Sequence, residues 1–425
     1  KKKTMYITSL DIGTSQVKAL VAEAGKGGKL SLIAAFKCPS SGIRKGEVSD
    51  INESVFSLKS VFENLFSLNK SALKNIFVNI GGANVKSHNS KGIVAVSRAD
   101  NEISQDDIDR VIKASQAVKL SPNRMIIHTI TREFIIDGIG DAREPLGMFG
   151  ARLEVNSAVI DAPSQNYKNI SKLIETLDGK ISGLIYGPLA ASRSTLTKIK
   201  KDLGAVLIDI GGGSTTMSVY EEGKLLHTAG FPIGSGHITN DLAIGLKCSV
   251  KLAEVFKIFF GNAVAKEISS KEKISPNDIE EKIGMEISEL DKNFKSVVSR
   301  REVAEIIESR LTEIFEFVNN ELKLISKNGR LPAGAVLCGG GAKMSSIVDL
   351  VKEELKLPAE IGFPDIGEIE IIDQNVSNEV NDPEFAVSLG LLLLAKDQWM
   401  RNNEWPISDK FSFINLKKIF KYFTP

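Results

Sequence analysis

The sequence predicts an α/β protein assembled from two related halves, and two observations carry this prediction. A strand–turn–strand unit occurs twice: residues 6–20 read YITSLDIGTSQVKAL and residues 205–220 read AVLIDIGGGSTTMSVY. Asp11 and Asp209 end the first strand of each unit and lie nearly half of the 425-residue chain apart. A third glycine-rich stretch, residues 334–355, runs from an apolar strand through three glycines into an amphipathic helix. This duplication indicates two domains of similar fold rather than a short repeat array.

The turns of the duplicated unit have the composition of a phosphate-binding site. Glycines let backbone N–H groups approach phosphate oxygens without interference from a Cβ atom, and hydroxyl side chains add further donors. An acid at each strand end, Asp11 and Asp209, can hold the water molecules around a phosphate-bound Mg²⁺. The candidate phosphate-binding residues are therefore Gly13, Thr14, Ser15, Gly211, Gly212, Gly213, Ser214 and Thr215.

One such hairpin alone is equally well explained as an ordinary glycine-rich β-turn. Two matching copies with paired acids are much harder to explain in that way. Neither copy fits the G-x-x-x-x-G-K-[ST] phosphate loop or the dinucleotide motif G-x-G-x-x-G, so those two classes are not supported. The third stretch places Gly339, Gly340 and Gly341 before a helix. Such a helix start suits the sugar and α-phosphate of a nucleotide.

Together, these three stretches resemble the phosphate-1, phosphate-2 and adenosine motifs of the actin, Hsp70 and sugar-kinase superfamily. The resemblance implies an actin-like ATPase fold of two duplicated RNase H-like domains, with ATP and Mg²⁺ bound in the cleft between them. It also implies that Asp11 and Asp209 face each other across this cleft and contact the metal through water.

The composition fits a cytosolic protein of two or more domains. A net charge of +1 argues against a general nucleic-acid-binding surface. The three cysteines, Cys38, Cys248 and Cys338, are scattered, so neither a disulfide framework nor a zinc site is expected. We interpret the N-terminal KKKTMYITSLDIG as the first strand rather than as a signal peptide, and LGLLLLA at 389–395 is too short to span a bilayer.

The stretch between the two hairpins has its own pattern of elements. A helix beginning after Ser104 is well marked, because Ser104 suits the N-cap, acids follow in the first turn, and Ile108, Val111 and Ile112 recur at helical spacing. The other predicted elements are a helix at 52–69, strands at 30–36, 76–82, 92–97 and 126–136, and a strand pair at 151–161.

Residues 84–163 form a compact α+β insert that is unlike the corresponding region of actin or Hsp70. It contains ISQDDIDRVIKASQAV and RMIIHTITREFIIDGIGDAREPLGMFGARLEV. These runs resemble the insert, called subdomain 1C, of the FtsA family of bacterial cell division proteins. The residues on which this resemblance rests are His128, Glu133, Asp137, Pro145, Leu146, Gly147, Gly150 and Arg152. The resemblance continues through 223–257, 298–318 and 381–395 and covers essentially the whole chain.

By this resemblance the chain divides into the subdomains of that family. The expected ranges are subdomain 1A at 1–83, 164–203 and 381–400; subdomain 1C at 84–163; subdomain 2A at 204–238 and 325–380; subdomain 2B at 239–324; a linker at 401–410; and an amphipathic membrane-targeting helix at 411–425.

The resemblance also implies roles for further residues of the nucleotide site. Lys18, seven residues after Asp11, would contact phosphate; the alternative is an ordinary solvated strand lysine. Glu254 would bind the ribose hydroxyls and Lys257 the adenine; the alternative is a surface ion pair, since the two residues are one helical turn apart. A second tight turn of Gly234, Ser235 and Gly236 would approach the phosphates, and Gly340, Gly341 and Lys343 would line the nucleoside side.

One departure from the superfamily pattern concerns hydrolysis. Hsp70-like relatives carry an acid before a Pro-x-Ala-Ala stretch, and that acid helps to activate the attacking water. Here the matching stretch is YGPLAAS, with Gly187 in the position of the acid. Glycine cannot act as a general base. Asp209 remains only as an orienting group, so we expect at most weak ATPase activity.

The far C-terminus predicts attachment to a membrane. After the proline-containing stretch 401–410, residues 411–423 read FSFINLKKIFKYF, with aromatic and aliphatic side chains on one half of a helical wheel and lysines on the other. Such a helix suits the headgroup region of an anionic membrane. The alternative is a terminal helix packed on its own core. The predicted membrane residues are Phe413, Leu416, Lys417, Lys418, Ile419, Phe420, Lys421 and Phe423.

The function implied by the family is that of a nucleotide-dependent scaffold. An FtsA-like protein would polymerise, with subdomain 1C as one candidate contact, on the inner face of the cell membrane at the division septum. It would tether FtsZ there and recruit later division proteins, with Arg300 and Arg301 expected to dock the C-terminal FtsZ peptide. The alternatives are a type IV pilus assembly ATP-binding protein resembling PilM and, with less support, a superfamily kinase or phosphatase.

Overall fold

Two β-sheets that share the order of five strands form the framework of the computed structural model, which describes residues 5–402. In each sheet a three-stranded antiparallel meander continues into parallel strands from later in the chain. The order in the first sheet is Glu370–Ile371, Leu30–Pro39, Gln16–Ala24, Met5–Ile12, Ile76–Ile80 and Ile181–Tyr186, of which Glu370–Ile371 is the additional strand. The order in the second is Lys224–Phe231, Thr215–Glu221, Ala205–Ile210, Gly334–Cys338 and Ala359–Ile361. The predicted duplication is therefore confirmed.

The register of the two hairpins is equivalent. In the first hairpin (Met5–Ile12 and Gln16–Ala24) Asp11 lies opposite Lys18, and in the second hairpin (Ala205–Ile210 and Thr215–Glu221) Asp209 lies opposite Thr216. Residues directly opposite each other in an antiparallel pair share one face of the sheet. Each acid therefore projects from the same side of its sheet as its cross-strand partner.

Helices cover both sheets and enclose a separate apolar core in each half. Ile51–Leu68 begins at Asp50, whose carboxylate accepts a hydrogen bond from the Glu53 amide at 2.9 Å. In the first half Ile51–Leu68 contacts Ser164–Thr176, and Gly187–Thr195 packs along Ala386–Asn402. The remaining helices outside the insert are Lys198–Leu203, Ser235–Gly245, Val250–Val255, Pro276–Ile283, Arg300–Leu324, Ile347–Leu355 and Gln374–Val380. Two short strand pairs, Ile43–Arg44 with Glu47–Val48 and Lys273–Ile274 with Val298–Ser299, complete the framework.

The insert is a four-stranded antiparallel sheet covered by one helix. Its strand order is Lys86–Ala95, Arg152–Pro163, Arg124–Ile136 and Ile139–Ala142, and the helix Gln105–Ser115 packs against the first two strands. The capped start of this helix is confirmed: the Ser104 amide donates to the Asp107 carboxylate at 2.9 Å, and the Ser104 side chain accepts from the Asp107 amide. The insert has a small core of its own, with Val111, Phe134 and Val155 at its centre.

Three predicted boundaries differ from the structure. The expected strand pair at 151–161 is wrong, because Arg152–Pro163 is one continuous strand whose twelve residues pair on both sides. The expected subdomain 2A range of 325–380 runs too far, since Glu370–Ile371 pairs with Leu30–Pro39 and therefore extends the first sheet. The helix Ala386–Asn402 also continues two residues into the expected linker.

The predicted amphipathic helix at 411–425 lies outside the described residues, as does most of the expected linker. The membrane residues within it therefore stay sequence-based predictions: Phe413, Leu416, Lys417, Lys418, Ile419, Phe420, Lys421 and Phe423. Among the helices within residues 5–402, none combines the length and the apolar composition that crossing a membrane requires.

Candidate functional site

A cleft of about 900 Å³ lies where the turns of the two hairpins meet. This volume is within the usual range for a site that encloses a small molecule or cofactor. The first hairpin contributes Asp11, Gly13, Thr14, Ser15 and Lys18 to the cleft wall, and the second contributes Asp209, Gly211, Gly212, Gly213 and Ser214. The duplicated motifs, nearly half the chain apart in sequence, thus form one site.

The two turns are in direct contact. A Cβ atom added to Gly212 would overlap the hydroxyl of Ser15, and one added to Gly213 would lie 2.6 Å from Thr14 Oγ1. The Gly46 amide donates to the same Thr14 hydroxyl at 3.0 Å and joins the neighbouring loop to the first turn. Because the turns touch, a phosphate chain bound between them is within reach of amides and hydroxyls from both halves.

The acids of the two hairpins differ in their surroundings. Asp11 accepts a hydrogen bond from the Asn79 amide group at 2.8 Å and pairs with Lys18 at 3.3 Å. Burial is the largest single effect on Lys18 and opposes its charged form, but the charges of Asp11, Glu384 and Asp209 and the hydrogen bond to Asp11 together outweigh it, so the lysine pKa is raised. Burial and the nearby charge of Asp11 raise the pKa of Asp209 to about 6, although Lys18 opposes the shift. Asp209 is therefore the acid whose charged form a bound cation would stabilise most.

These donors and acceptors fit a magnesium ion that carries a polyphosphate. Mg²⁺ keeps several of its waters and takes one or two carboxylates together with phosphate oxygens. Asp11 and Asp209 supply two carboxylates, while Lys18 and the glycine-rich turns complement the phosphate charge. Within residues 5–402, no group of three or more histidine, cysteine or acidic side chains is arranged to hold a metal by itself. The set accordingly suits a metal that arrives with its ligand.

A second part of the cleft is formed by the helix Val250–Val255 and the π-helical turn Phe256–Phe260 that continues it. Lys257 reaches Glu254 at 2.7 Å and the Thr239 hydroxyl at 2.8 Å, and Thr239 also donates to Glu254 at 2.6 Å. Glu254 and Lys257 thus form the ion pair that their spacing allows, but the pair lines the cleft rather than the outer surface.

The third glycine-rich stretch closes the cleft beside Asp209. Gly339 has a positive φ of 82°, and a Cβ atom at this position would overlap the Asp209 carboxylate. Only glycine combines that backbone conformation with such a close approach. Gly340, Gly341 and Lys343 follow along the wall, with Lys343 paired to Asp382 at 2.6 Å.

The insert reaches the second half of the molecule near its root. Arg132 donates from Nε to the Leu225 carbonyl at 2.6 Å and from Nη2 to the Leu226 carbonyl. Lys224 pairs with Asp141 of the insert at 2.9 Å. We call these contacts the Arg132 clasp. They tie the insert to the strand Lys224–Phe231, which borders the second hairpin.

Comparison with known proteins identifies both the insert and the surrounding domains. Residues 82–161 match the model of the SHS2 domain inserted in FTSA, and residues 206–390 match the model of cell division protein FtsA. Cell division protein FtsA of Pseudomonas aeruginosa is 34% identical over 387 residues, which cover 91% of this chain and 88% of that protein. The corresponding protein of Bacillus subtilis is 34% identical over 392 residues, covering 92% and 83%.

This chain belongs to the FtsA family of cell division proteins. Solved structures of lower sequence identity show its fold to be actin-like. The PilM–PilN type IV pilus biogenesis complex aligns with a TM-score of 0.63 and 16% identity, covering 91% of this chain and 97% of that chain. MreB5 of Spiroplasma citri bound to ADP aligns with a TM-score of 0.52 and 15% identity, covering 94% and 99%.

The structure brings most of the predicted site residues of this FtsA-family chain together. All of the residues predicted for the nucleotide site line the cleft except two, Thr215 and Gly234. Thr215 is fully buried, because it lies next to Thr216 on the strand and faces the opposite side of the sheet from Asp209. Gly234 lies behind the second turn, where a Cβ atom would overlap the Gly211 carbonyl. Ser235 and Gly236 are the members of that turn that reach the cleft.

Several residues of the cleft wall were not predicted from the sequence, among them Asn79, Thr216, Glu384 and, as a cleft residue, Arg300. Thr216 could have been found, since it follows Asp209 by the same seven residues that separate Lys18 from Asp11. Asn79 carried a weaker signal as the polar residue in an otherwise apolar strand, Ile76–Ile80. Glu384 and Arg300 come close only through tertiary packing.

The two arginines expected to dock FtsZ differ in position. Arg300 begins the long helix Arg300–Leu324, lines the cleft and pairs with Glu272 at 2.8 Å. Arg301 pairs with Glu305 at 3.2 Å on the exposed side of the helix, as its spacing of four residues allows. Arg301 is thus the one that a partner at this helix start would meet.

Gly187 begins the helix Gly187–Thr195 and lines the cleft. A Cβ atom there would have only an ordinary contact, with the Ile80 carbonyl at 4.0 Å. The position therefore has space for a side chain, and the residue present supplies no group that could accept a proton.

Proposed function

We propose that this protein is an ATP-binding, actin-like scaffold that polymerises on the inner face of the cell membrane at the division septum, tethers FtsZ there and recruits later division proteins. The observation that carries the proposal is the cleft in which two equivalent hairpins meet beside an FtsA-type insert. Family membership supports the role in division, and the chemistry of the cleft supports the nucleotide.

In this proposal Mg-ATP binds with its phosphates between the two glycine-rich turns. Asp11 and Asp209 hold the metal through water, and Lys18 offsets phosphate charge. Gly339, Gly340, Gly341 and Lys343 lie beside the nucleoside, while Glu254 and Lys257 contact the ribose and the base. The magnesium ion neutralises phosphate charge when it is bound. The absence of a base at Gly187 gives an expected turnover below about 1 s⁻¹, at the low end of enzyme rates.

Membrane attachment is assigned to the basic, aromatic stretch at 411–423. A single amphipathic helix binds an anionic surface weakly and reversibly, so a polymer would hold the membrane through many such helices at once. The proposal therefore joins two properties, nucleotide-dependent self-association and a weak membrane anchor, in one chain.

The 425-residue chain and a variant that ends at residue 410 should be compared by electron microscopy on anionic lipid monolayers, with and without Mg-ATP. We expect filaments only for the 425-residue chain with nucleotide. The variant should keep its ATP affinity and lose co-sedimentation with anionic liposomes. Equal co-sedimentation of the two proteins would show that 411–425 is not the anchor.

Docking of the FtsZ tail is proposed at the start of the helix Arg300–Leu324, with Arg301 as the exposed cation. An arginine can hold a carboxylate of an acidic peptide in two parallel hydrogen bonds, provided that it is released from Glu305. Fluorescence anisotropy of a labelled FtsZ tail peptide should show at least about tenfold weaker binding to Arg301→Glu, from the loss of about 1.4 kcal/mol. Lys323→Glu, at the other end of the same helix, controls for the change in charge. If the two variants bind the peptide with equal affinity, the docking site lies elsewhere.

Only the likeness in fold favours the pilus alternative, since this chain is 16% identical in sequence to the aligned chain of the PilM–PilN complex. The identities of 34% to two FtsA proteins and the match to the FtsA-type insert favour division instead. A superfamily kinase or phosphatase would need a group to take a proton at the cleft, and Gly187 does not supply one.

A further inference from the structure

We propose that Arg300 is a base-contacting residue, whose planar guanidinium packs on the nucleobase of the bound nucleotide. The inference rests on the proposed nucleotide binding and assigns to Arg300 a role different from peptide docking. Lys257 and Arg300 then make up two cationic walls of one base site.

The position of Arg300 supports this role. Its Nε donates to the Phe260 carbonyl at 3.3 Å, so the guanidinium lies against the same π-helical turn that carries Lys257. Two apolar residues of that turn, Ile258 and Phe259, line the cleft as well. The glycine-rich turns at the acid pair take the phosphates, which leaves this mixed apolar and cationic part of the cleft for an aromatic base.

The guanidinium is held in place before any ligand binds. Glu272 pairs with Nη1 at 2.8 Å and Phe260 accepts from Nε, whereas Nη2 has no hydrogen-bond partner among residues 5–402. The side chain is 35% exposed. An arginine fixed by two partners loses little rotational freedom when a ligand arrives, which favours its use in binding.

The chemistry of the contact is that of a cation on an aromatic face. Guanidinium groups stack on π-systems and also interact with them as cations. A stacked arginine does not distinguish donor from acceptor groups on the base edge. The contact should therefore strengthen binding of any nucleoside triphosphate and contribute nothing to binding of a triphosphate that has no base.

The test compares three ligands on the 425-residue chain: Mg-ATP, Mg-GTP and magnesium tripolyphosphate. Dissociation constants are measured by calorimetry for the first two and by competition for the third. In Arg300→Ala we expect about tenfold weaker binding of both nucleotides, as for a partly desolvated cation–aromatic contact. Tripolyphosphate should bind equally well to Arg300→Ala and to the unmodified protein, which a general loosening of the fold would not allow.

Two further variants keep the proposal testable if Arg300→Ala folds poorly. Arg300→Lys keeps the charge and loses the planar group, so it should restore only part of the nucleotide affinity. Lys323→Ala removes a cation from the exposed far end of the same helix and should bind all three ligands unchanged. Nucleotide affinities of folded Arg300→Ala and Arg300→Lys that equal those of the unmodified protein would overturn the inference. No Mg-ATP binding by the unmodified protein would instead overturn the proposed nucleotide site.

Discussion

Asp209 has a carboxyl group whose charged form is unfavourable in the free protein. It is withdrawn from water and faces the charge of Asp11, and its pKa is raised to about 6 for these reasons. Asp11, in contrast, accepts a hydrogen bond from Asn79 and pairs with Lys18. The site thus keeps one acid balanced by the protein and one that a magnesium ion would balance.

A pH-dependent effect on stability follows from this asymmetry. Between about pH 4 and about pH 6, folded Asp209 holds a proton that an unfolded aspartate has released, so its contribution to stability falls as the pH rises through this window. Asp209→Asn has no such loss. Without nucleotide, the variant should be more stable at pH 8 by on the order of 3 kcal/mol, or about 3 °C in melting temperature, and the difference should vanish near pH 4.

The measurement is thermal unfolding of the ligand-free protein across this pH range. Glu281→Gln removes an exposed carboxylate and should show no such pH-dependent difference. Equal melting temperatures of Asp209→Asn and the unmodified protein at pH 8 would mean that Asp209 is not under electrostatic strain.

The two hairpins act as one unit at the scale of structural elements. Their turns touch at Gly212 with Ser15 and at Gly213 with Thr14, so a side chain at either glycine would displace the first turn. The contact explains why glycines occur at positions 212 and 213 of the second turn. It also places the amides of both turns around one cleft.

Gly212→Val tests this element-scale arrangement. The added side chain would force the turns apart and fill the approach of a phosphate, so we expect ATP binding to weaken by at least about a hundredfold, or 2.7 kcal/mol. Gly140→Val is the matched control, because a Cβ atom at that exposed insert position meets nothing closer than 3.7 Å. Circular dichroism establishes that both variants fold; unchanged ATP affinity in folded Gly212→Val would refute the site.

The insert connects the two halves of the molecule at the largest scale. The chain enters the insert from the first half and returns to it, yet the Arg132 clasp holds the strand Lys224–Phe231 of the second half. Burial lowers the pKa of Arg132 relative to ordinary arginine, which shows how far the guanidinium is withdrawn from water. Any rotation of the halves about the cleft must therefore move or break the clasp.

Removing the clasp should loosen the contact between insert and second half. Arg132→Ala leaves two carbonyl groups without their charged donor, and we expect a loss of about 2 kcal/mol in unfolding free energy. Amide hydrogen exchange in the strand Lys224–Phe231 should become faster. Arg143→Ala, an exposed arginine of the same insert without an ion pair in the described structure, should change neither quantity. Unaltered exchange in Arg132→Ala would show that the clasp does not restrain the halves.

The sequence by itself determined the features that depend on neighbouring residues. Alternating apolar residues and glycine turns defined both hairpins, and Ser104 with its following acids defined the helix of the insert. These signals are local, because strand pairing across a tight turn and helix capping involve residues only a few positions apart. The duplication and the family resemblance then placed the residues of both turns in one cleft.

Only the tertiary structure decided which distant side chains share a surface. Arg300 reaches the cleft because packing sets its helix against the π-helical turn, and Arg132 meets two carbonyls more than 90 positions away in sequence. Thr216 rather than Thr215 faces the cleft because hairpin register fixes the side of the sheet from which each residue projects. Such contacts follow from the relative placement of whole elements, and no local pattern of residues encodes that placement.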